Sequence, residues 1–151
     1  MMWGCMTAQG VGLACRIDGN MDAKVYVDIL DRAFLGTLRF RKLEVGDIIF
    51  QQDDDSKHTS HIARQWFEDH GVEVLEWPAQ SPDLNPIEHL WRHLKRQLAG
   101  YETEPASVHE LWRRVVVEWA EIPAQVCTDL IESMLDRIAA VLEAEGGHTK
   151  Y

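Results

Sequence analysis

The chain has 151 residues, 46% of them hydrophobic, and a formal net charge of −10 at pH 7. This length supports one compact core and little more. A free-standing DNA-binding module usually carries a surplus of basic residues, so the acidic balance excludes strong nucleic-acid binding unless metal ions or a basic partner segment compensate. The acidity is uneven, since residues 1–100 carry 11 basic and 15 acidic side chains and residues 101–151 carry 4 and 10.

The three cysteines, Cys5, Cys15 and Cys127, are an odd number without metal-ligand spacing. They argue against a disulfide framework or a zinc site and favour reduced thiols in an intracellular compartment. The N-terminal residues have no basic segment ahead of the apolar ones, and no apolar run approaches the ~18 residues of a membrane span. We therefore expect neither a secretion signal nor a membrane helix.

The first half of the chain reads as strands followed by alternating helices and strands. Two apolar runs, 2–7 and 11–17, flank a Gln9-Gly10 turn and predict a hairpin. Four further elements are predicted: a helix over 21–38, a buried strand over 48–52, a helix over 59–70 closed by Gly71, and a strand over 72–77. The alternation from Ile48 to Leu98 predicts parallel pairing of the later strands.

The stretch 77–91 predicts an ordered loop that leads into a helix. Pro78 and Pro82 fix the backbone and prevent a regular ladder. Asn85 then supplies an N-cap side chain, Pro86 takes the first helical position, and Glu88 takes the third. The sequence therefore predicts a carboxylate in the first turn of a helix that ends at Gly100.

The remainder of the chain is predicted to be helical. Ser107 and Glu110 form a capping-box signature that starts a helix over 111–121. Pro123 interrupts the pattern before a final helix over 124–144.

Two acids occupy positions typical of functional groups. Asp53 follows the strand predicted over 48–52, and Glu88 begins the helix after the next strand; functional groups gather beyond the carboxyl ends of strands in open α/β sheets. Two carboxylates placed together repel each other unless a cation lies between them, which predicts a divalent-metal site. The alternative is a solvated turn at Asp53 and a capping role for Glu88, and the pattern alone leaves both open.

The residues around these acids resemble the mariner superfamily of Asp-Asp-Glu transposases. Asp53 and Glu88, with 34 residues between them, match the last two acids of that family. The motifs that carry the resemblance are Phe50-Gln-Gln-Asp53, Lys57-His58-Thr59-Ser60, Trp77-Pro-Ala-Gln-Ser-Pro-Asp-Leu-Asn-Pro-Ile-Glu88, Trp3-Gly4-Cys5 and Ile17-Asp-Gly-Asn-Met21. The similarity covers the chain from about residue 2 to about residue 140.

The resemblance implies an α/β fold, an RNase H-like mixed sheet flanked by helices with further C-terminal helices. It implies a partial transposase catalytic domain over residues 1–145, and the glycine-rich tail 146–151 is expected to be disordered. It further implies a DNA transposase or DDE endonuclease whose three acids bind two Mg²⁺ or Mn²⁺ ions. In that family water first cuts the transposon end, and the freed 3′-hydroxyl then attacks target DNA.

Six side chains receive roles from this resemblance. Asp53 and Glu88 are expected to be catalytic residues and metal ligands. His58 and Lys57 are expected to contact nucleic acid, with fixing of the loop after the strand as the alternative and as the preferred role of Lys57. Arg92 and Lys95 are expected to contact DNA phosphates, with charge pairing on a solvated helix face as the alternative.

The chain departs from the family pattern at its start. The family's first acid lies on a central strand upstream of the segment that resembles Trp3-Gly4-Cys5, so we expect this strand and its Asp to be absent and the 151 residues to be inactive alone. The unpaired edges of the sheet are then expected to be prone to association. Asp54 also takes the place of a usual Asn and adds negative charge beside Asp53.

Expected partners are transposon-end and target DNA, together with a second copy of the chain or a full-length transposase. No small-molecule cofactor and no membrane are expected, and a eukaryotic host implies a nuclear location. Two other functions stay open: a non-catalytic remnant that binds DNA or protein, and a metal phosphohydrolase that uses Asp53, Asp55 and Glu88.

Overall fold

The computed structural model describes residues 1–76, 81, 84–147 and 149. The chain divides into two compact units, one formed by Met1–Cys5 with Gly12–Ser81 and the other by Met6–Val11 with Pro82–Tyr151. The predicted loop prolines Pro78 and Pro82 lie outside the described residues. The predicted domain limit at residue 145 stays a prediction.

The regular elements are short strands followed by helices. The strands are β1 (Met2–Trp3), β2 (Met6–Thr7), β3 (Gly10–Val11) and β4 (Cys15–Arg16). The α-helices are α1 (Ala23–Ile29), α2 (Leu35–Arg41), α3 (His61–Asp69), α4 (Ile87–Ala99), α5 (Val108–Ala120), α6 (Ala124–Glu132) and α7 (Met134–Glu143). A π-helical segment, Leu30–Phe34, joins α1 to α2, and a 3₁₀ turn covers Val45–Asp47. Among the described residues, no helix has the length and apolar character needed to cross a membrane.

The strands pair as the sequence predicts, over shorter lengths. In the first unit β1 pairs antiparallel with β4, and in the second unit β2 pairs antiparallel with β3. The predicted parallel pairing is confirmed at one bridge between Phe50 and Val74, but the runs predicted as strands over 48–52 and 72–77 form no strand within the described residues. There the Phe50 amide donates to the Glu73 carbonyl at 2.7 Å, and the Leu75 amide donates to the Phe50 carbonyl at 2.8 Å.

An aromatic core fills the first unit and fixes the start of the loop that carries Asp53. The Phe50 ring packs against Phe34 with centroids 4.9 Å apart and against Phe67 with centroids 5.2 Å apart. Trp66 packs edge-on against Phe34 and donates its indole N–H to Asp31 at 2.8 Å. Since Phe50 is held from both sides, the three residues that follow it leave the core at a fixed point.

The Thr37 side chain makes close contacts with Ala33, Leu13 and Gly12 in the first unit. Its hydroxyl donates to the Ala33 carbonyl at 2.7 Å and accepts from the Leu13 amide at 2.9 Å. A Cβ on Gly12 would lie 2.6 Å from both Thr37 and the Cys5 sulfur, so only glycine fits there. Burial raises the pKa of the Cys5 thiol to about 11, which keeps this sulfur neutral.

In the second unit α4 packs against α5. The Trp91 and Trp119 rings stack with centroids 5.0 Å apart, and Leu90 and Leu94 are buried. The helix α6 packs against β2 and β3, where the Thr128 hydroxyl donates to the Ala8 carbonyl at 2.7 Å. These contacts hold α4, which carries Glu88 in its first turn.

Several predicted helix boundaries need correction, since α2 extends to Arg41 instead of residue 38 and α5 begins at Val108 instead of residue 111. The helix α4 begins at Ile87 with Pro86 as N-cap and no side-chain capping bond, and Asn85 contributes its carbonyl, which accepts from the Glu88 amide at 3.1 Å. The final helix predicted over 124–144 is divided at Ser133 into α6 and α7. The Ser133 hydroxyl donates to the Leu130 carbonyl at 2.7 Å, a local bond that competes with helical continuation.

The predicted cap of α5 is confirmed. The Ser107 hydroxyl accepts from the Glu110 amide at 3.1 Å. The Glu110 carboxylate reaches back to the Ala106 amide at 2.8 Å, one residue before the position that a capping box uses.

Candidate metal centre

Asp53 lies three residues after the parallel bridge, and its side chain is 63% exposed. Its Oδ1 atom accepts from the Asp55 amide at 3.3 Å and lies 2.5 Å from His58 Nδ1. No hydrogen bond from a described residue ends on Oδ2. One carboxylate oxygen is therefore held by the protein and the other is open to a ligand.

His58 connects the Asp53 carboxylate to the core. Its side chain is only 14% exposed, and its ring lies against the Tyr26 ring with centroids 4.3 Å apart. An ionised carboxylate only accepts hydrogen bonds, so we assign the ring proton to Nδ1, which donates to Asp53. The Nε2 atom is buried and has no hydrogen-bond partner within the described residues.

Tyr26 and Gln52 hold the two ends of the loop that carries Asp53. The buried Tyr26 hydroxyl donates to Gln52 Oε1 at 2.5 Å, and Gln52 Nε2 donates to the His58 carbonyl at 3.4 Å. Burial, followed by the charge of Asp53, raises the pKa of Tyr26, so this hydroxyl stays protonated and able to donate. These two hydrogen bonds therefore connect residue 52 to residue 58, the two ends of the loop, and to Tyr26 in the core.

Asp55 and Lys57 stabilise the turn inside this loop. Lys57 Nζ lies 2.5 Å from one Asp55 oxygen, and the Lys57 amide donates to the other at 3.0 Å. The hydrogen bond from the Lys57 side chain is the main reason that the pKa of Asp55 is lowered. Both Asp55 oxygens are thus engaged, an arrangement typical of loop stabilisation rather than of the metal ligand that a phosphohydrolase would need.

Glu88 occupies the first turn of α4 and is half-buried. A negative side chain is favoured there because the unpaired amides of a helix N-terminus carry partial positive charge. Arg92 and Lys95 lie one and two turns further along the same helix, and both are exposed. Neither is among the salt bridges that the described residues form, so both cations are available to a phosphate.

A second pair of side chains supports this end of α4. Arg137 of α7, which is buried, places Nη1 2.9 Å from His89 Nε2 and donates from Nε to the Ser133 hydroxyl at 2.8 Å. Burial, and then the charges of Arg137 and Arg92, lower the pKa of His89. The neutral His89 ring accepts from Arg137, which ties α7 to the residue next to Glu88.

The chemistry of these acids fits a divalent cation. The described residues contain no group of three or more His, Cys, Asp or Glu side chains arranged to hold a metal ion. Mg²⁺, however, takes one or two protein carboxylates and keeps several waters. The open Oδ2 of Asp53 meets that requirement.

Three supporting residues were not predicted from the sequence. Tyr26 lay within a predicted helix but received no role, and Gln52 belonged to a recognised motif without a stated contact. Arg137 lay in the predicted final helix. A buried tyrosine hydroxyl and a buried guanidinium each need a hydrogen-bond partner. A Tyr or Arg within an apolar helix face was therefore the signal in the sequence that could have indicated such contacts.

Comparison with known families decides the assignment. The profile described as DDE superfamily endonuclease matches residues 1–111. The chain belongs to the DDE superfamily of endonucleases. This membership, together with the similarity to the transposases described below, confirms the resemblance drawn from the motifs at Asp53 and Glu88.

Transposases of two nematodes are similar to this DDE domain over its whole length. It is 43% identical over 153 aligned residues to the transposase of the element Tcb1 of Caenorhabditis briggsae and 43% identical to that of Tc1 of Caenorhabditis elegans. Each alignment covers 100% of this chain and 54% of the relative. The chain therefore spans about half the length of the curated relatives it matches.

Solved structures show the fold. The Mos1 transposase catalytic domain, solved with raltegravir and Mg, aligns with a TM-score of 0.86 at 21% identity over 99% of this chain and 76% of that one. The Mos1 paired-end complex with the left transposon end aligns with a TM-score of 0.88 at 20% identity, covering 99% of this chain and 44% of that one. The predicted RNase H-like α/β fold with C-terminal helices is confirmed.

Proposed function

We propose that this DDE domain carries two of the metal-binding acids of a DNA transposase that acts in cut-and-paste transposition. Asp53 and Glu88 are the proposed catalytic residues and metal ligands. The observation that carries the proposal is the Asp53 carboxylate, which has one oxygen fixed by His58 and the other open. Relatives that are named transposases, and a Mos1 structure that contains Mg, support it.

Each named side chain has a proposed task. Asp53 Oδ2 and the Glu88 carboxylate hold Mg²⁺ or Mn²⁺. Such ions supply Lewis acidity and stabilise charge on a phosphate. Arg92 and Lys95 contact the phosphates of transposon-end or target DNA, since both are exposed cations on the helix that carries Glu88 in its first turn. DNA as a partner also implies a nuclear location in a eukaryote.

The family resemblance implies that Asp53 and Glu88 are the second and third of three metal-binding acids. We propose that Asp53 and Glu88 each contribute to the binding of divalent ions by this chain. The test combines two measurements: the affinity for Mn²⁺ by electron paramagnetic resonance, and Mn²⁺-dependent nicking of a labelled duplex that carries the terminal repeat of the encoding element. Asp53→Asn and Glu88→Gln are the test variants.

Asp136→Asn and Glu104→Gln are the matched controls, because they remove the same charges from exposed side chains. Mn²⁺ binding that is lost in both test variants and kept in both controls supports the metal site. Nicking by the wild-type chain that is lost in both test variants also supports a catalytic role for the two acids. Unchanged Mn²⁺ binding in the test variants overturns the proposed function.

A second candidate function is a protein-interaction remnant without catalysis. On α7, Leu135, Ile138 and Leu142 are 79%, 42% and 72% exposed, and their spacing places them on one helix face. Exposed apolar faces of this kind mark interaction sites. The proposed partner is a second copy of the chain or a full-length transposase.

Sedimentation equilibrium of the purified chain tests this candidate. Two copies with a net charge of −10 each repel, so association through an apolar face should strengthen as salt is added. A Leu135→Lys, Leu142→Lys double variant should be monomeric. A wild-type chain that stays monomeric in high salt rules out the second copy as partner.

A further inference from the structure

The loop that carries Asp53 contains an arrangement that metal binding by two acids does not explain. Four side chains join in series: Tyr26 to Gln52, Gln52 to the His58 carbonyl, and the His58 ring to Asp53. Three of these groups, all except Asp53, are half-buried or buried. Ordering these four side chains costs conformational entropy. A loop that only connects two elements would not need such an ordered series.

We infer that His58 is a positioning residue that orients the Asp53 carboxylate for metal binding. The inference rests on the proposed function, because it concerns the same carboxylate. It gives His58 a task other than direct contact with nucleic acid. His58 fixes the side-chain torsion angle of the Asp53 carboxylate. Its Nδ1 atom holds Asp53 Oδ1 at 2.5 Å, so that Oδ2 is turned away and has no partner among the described residues.

The burial of His58 supports this task. Its side chain is 14% exposed, whereas that of Asp53 is 63% exposed, so the ring approaches the carboxylate from the protein side. Contact with the Tyr26 ring at 4.3 Å restricts rotation of the imidazole. An exposed carboxylate on a loop otherwise samples several rotamers, and each metal-binding event would have to restore one of them.

Tyr26 and Gln52 hold the backbone on which His58 stands. The Gln52 amide spans the loop, because its Oε1 accepts from Tyr26 and its Nε2 donates to the His58 carbonyl. The core therefore fixes His58 twice, through ring packing and through its carbonyl. Hydrogen bonds to a ligating carboxylate typically change metal affinity by about 10- to 100-fold.

The experiment measures Mn²⁺ affinity of the full chain by isothermal titration calorimetry, with thermal unfolding recorded for each variant. His58→Ala should weaken Mn²⁺ binding by about 10- to 100-fold. His58→Asn should restore most of the affinity, since the Asn amide nitrogen lies where Nδ1 was, and His58→Gln should not. His61→Ala is the matched control, because His61 is exposed at the start of α3.

Each outcome decides the inference. An unchanged affinity in His58→Ala, together with loss of binding in Asp53→Asn, overturns the positioning role and leaves the proposed function intact. Unchanged binding in Asp53→Asn overturns the proposed function itself. If His58→Ala loses both affinity and thermal stability, His58→Asn decides: restored affinity supports positioning, and failure to restore it assigns His58 a purely structural role.

Discussion

The two acids of the candidate centre are held in different ways. Asp53 stands on a loop, and its carboxylate is fixed by a hydrogen bond from the His58 side chain. Glu88 stands in the first turn of α4, where its own amide donates to the Asn85 carbonyl and the helix is anchored by the fully buried Leu90. One acid depends on contacts between side chains, and the other depends on backbone geometry and apolar packing.

This difference predicts which substitutions change metal affinity and which change the free energy of unfolding. A loop carboxylate moves when one neighbouring side chain is removed, while the core beneath it stays folded. A carboxylate on a packed helix moves only when the packing of the helix is lost. Substitutions around Asp53 should therefore change metal affinity first, and substitutions beneath Glu88 should change the free energy of unfolding first.

The largest expected effect is on stability at the Glu88 side. Leu90→Ala should lower the free energy of unfolding by about 2–5 kcal/mol, because the site is fully buried and the substitution leaves a cavity. Urea unfolding followed by circular dichroism measures it. A loss below about 1 kcal/mol would show that α4 is not held by its packing, and would contradict the proposed difference between the two acids.

Tyr26→Phe should have a smaller effect, divided between stability and metal binding. It removes the hydroxyl that donates to Gln52 and keeps the ring against His58. The unpaired Gln52 oxygen should cost about 1–2 kcal/mol of unfolding free energy. Hydrogen exchange of the amides from residue 52 to residue 58 should accelerate, and an unchanged exchange rate would contradict the role of Tyr26 in this loop.

Lys57→Met should have a small and pH-dependent effect. The Lys57 hydrogen bond lowers the pKa of Asp55 in the folded state, so its stabilisation is present above the unfolded value of about 3.9 and is lost as the pH falls through the lowered folded value. The Asp55 side chain is 36% exposed, which limits the contribution to about 0.5 kcal/mol.

Urea unfolding of wild type and Lys57→Met at pH 7 and at about pH 2 measures this contribution. The difference between the two proteins should be present at pH 7 and absent at the acidic pH. An equal difference at both values would assign the effect of Lys57 to packing of its aliphatic stem instead of to the ionised Asp55.

The smallest expected effect is that of Leu135→Ala. Leu135 is 79% exposed, so the substitution should leave the unfolding free energy within about 0.5 kcal/mol of wild type. It matches Leu90→Ala in chemistry and differs in burial. A loss comparable to that of Leu90→Ala would mean that the face of α7 is covered in solution, which sedimentation of the same variant would then report.

The sequence predicted the elements whose causes are local. The Ser107 cap, the hairpin at the start of the chain and the parallel pairing near Phe50 follow from residue type and spacing, and each is present. The motif around Asp53 also identified the family. The parallel pairing joins residues 24 positions apart (74 − 50), but the alternation of strands with a helix was enough to predict it.

Features that depend on distant or competing contacts were missed. The division at Ser133 was not predicted, because the apolar period continues through it while one hydroxyl bonds to the Leu130 carbonyl. The contact of Tyr26 with Gln52 joins residues 26 positions apart, and no periodicity reports such a pair. The roles predicted for Lys57, His58, Arg92 and Lys95 in DNA contact, and the metal-binding roles of Asp53 and Glu88, stay predictions.

Anomalous diffraction from crystals soaked in MnCl₂ would locate the proposed ion relative to the Asp53 carboxylate. We predict anomalous density for Mn²⁺ about 2.1 Å from Asp53 Oδ2, with His58 Nδ1 still in contact with Oδ1. Absence of density at both carboxylates, at a Mn²⁺ concentration that saturates the protein in solution, would contradict it.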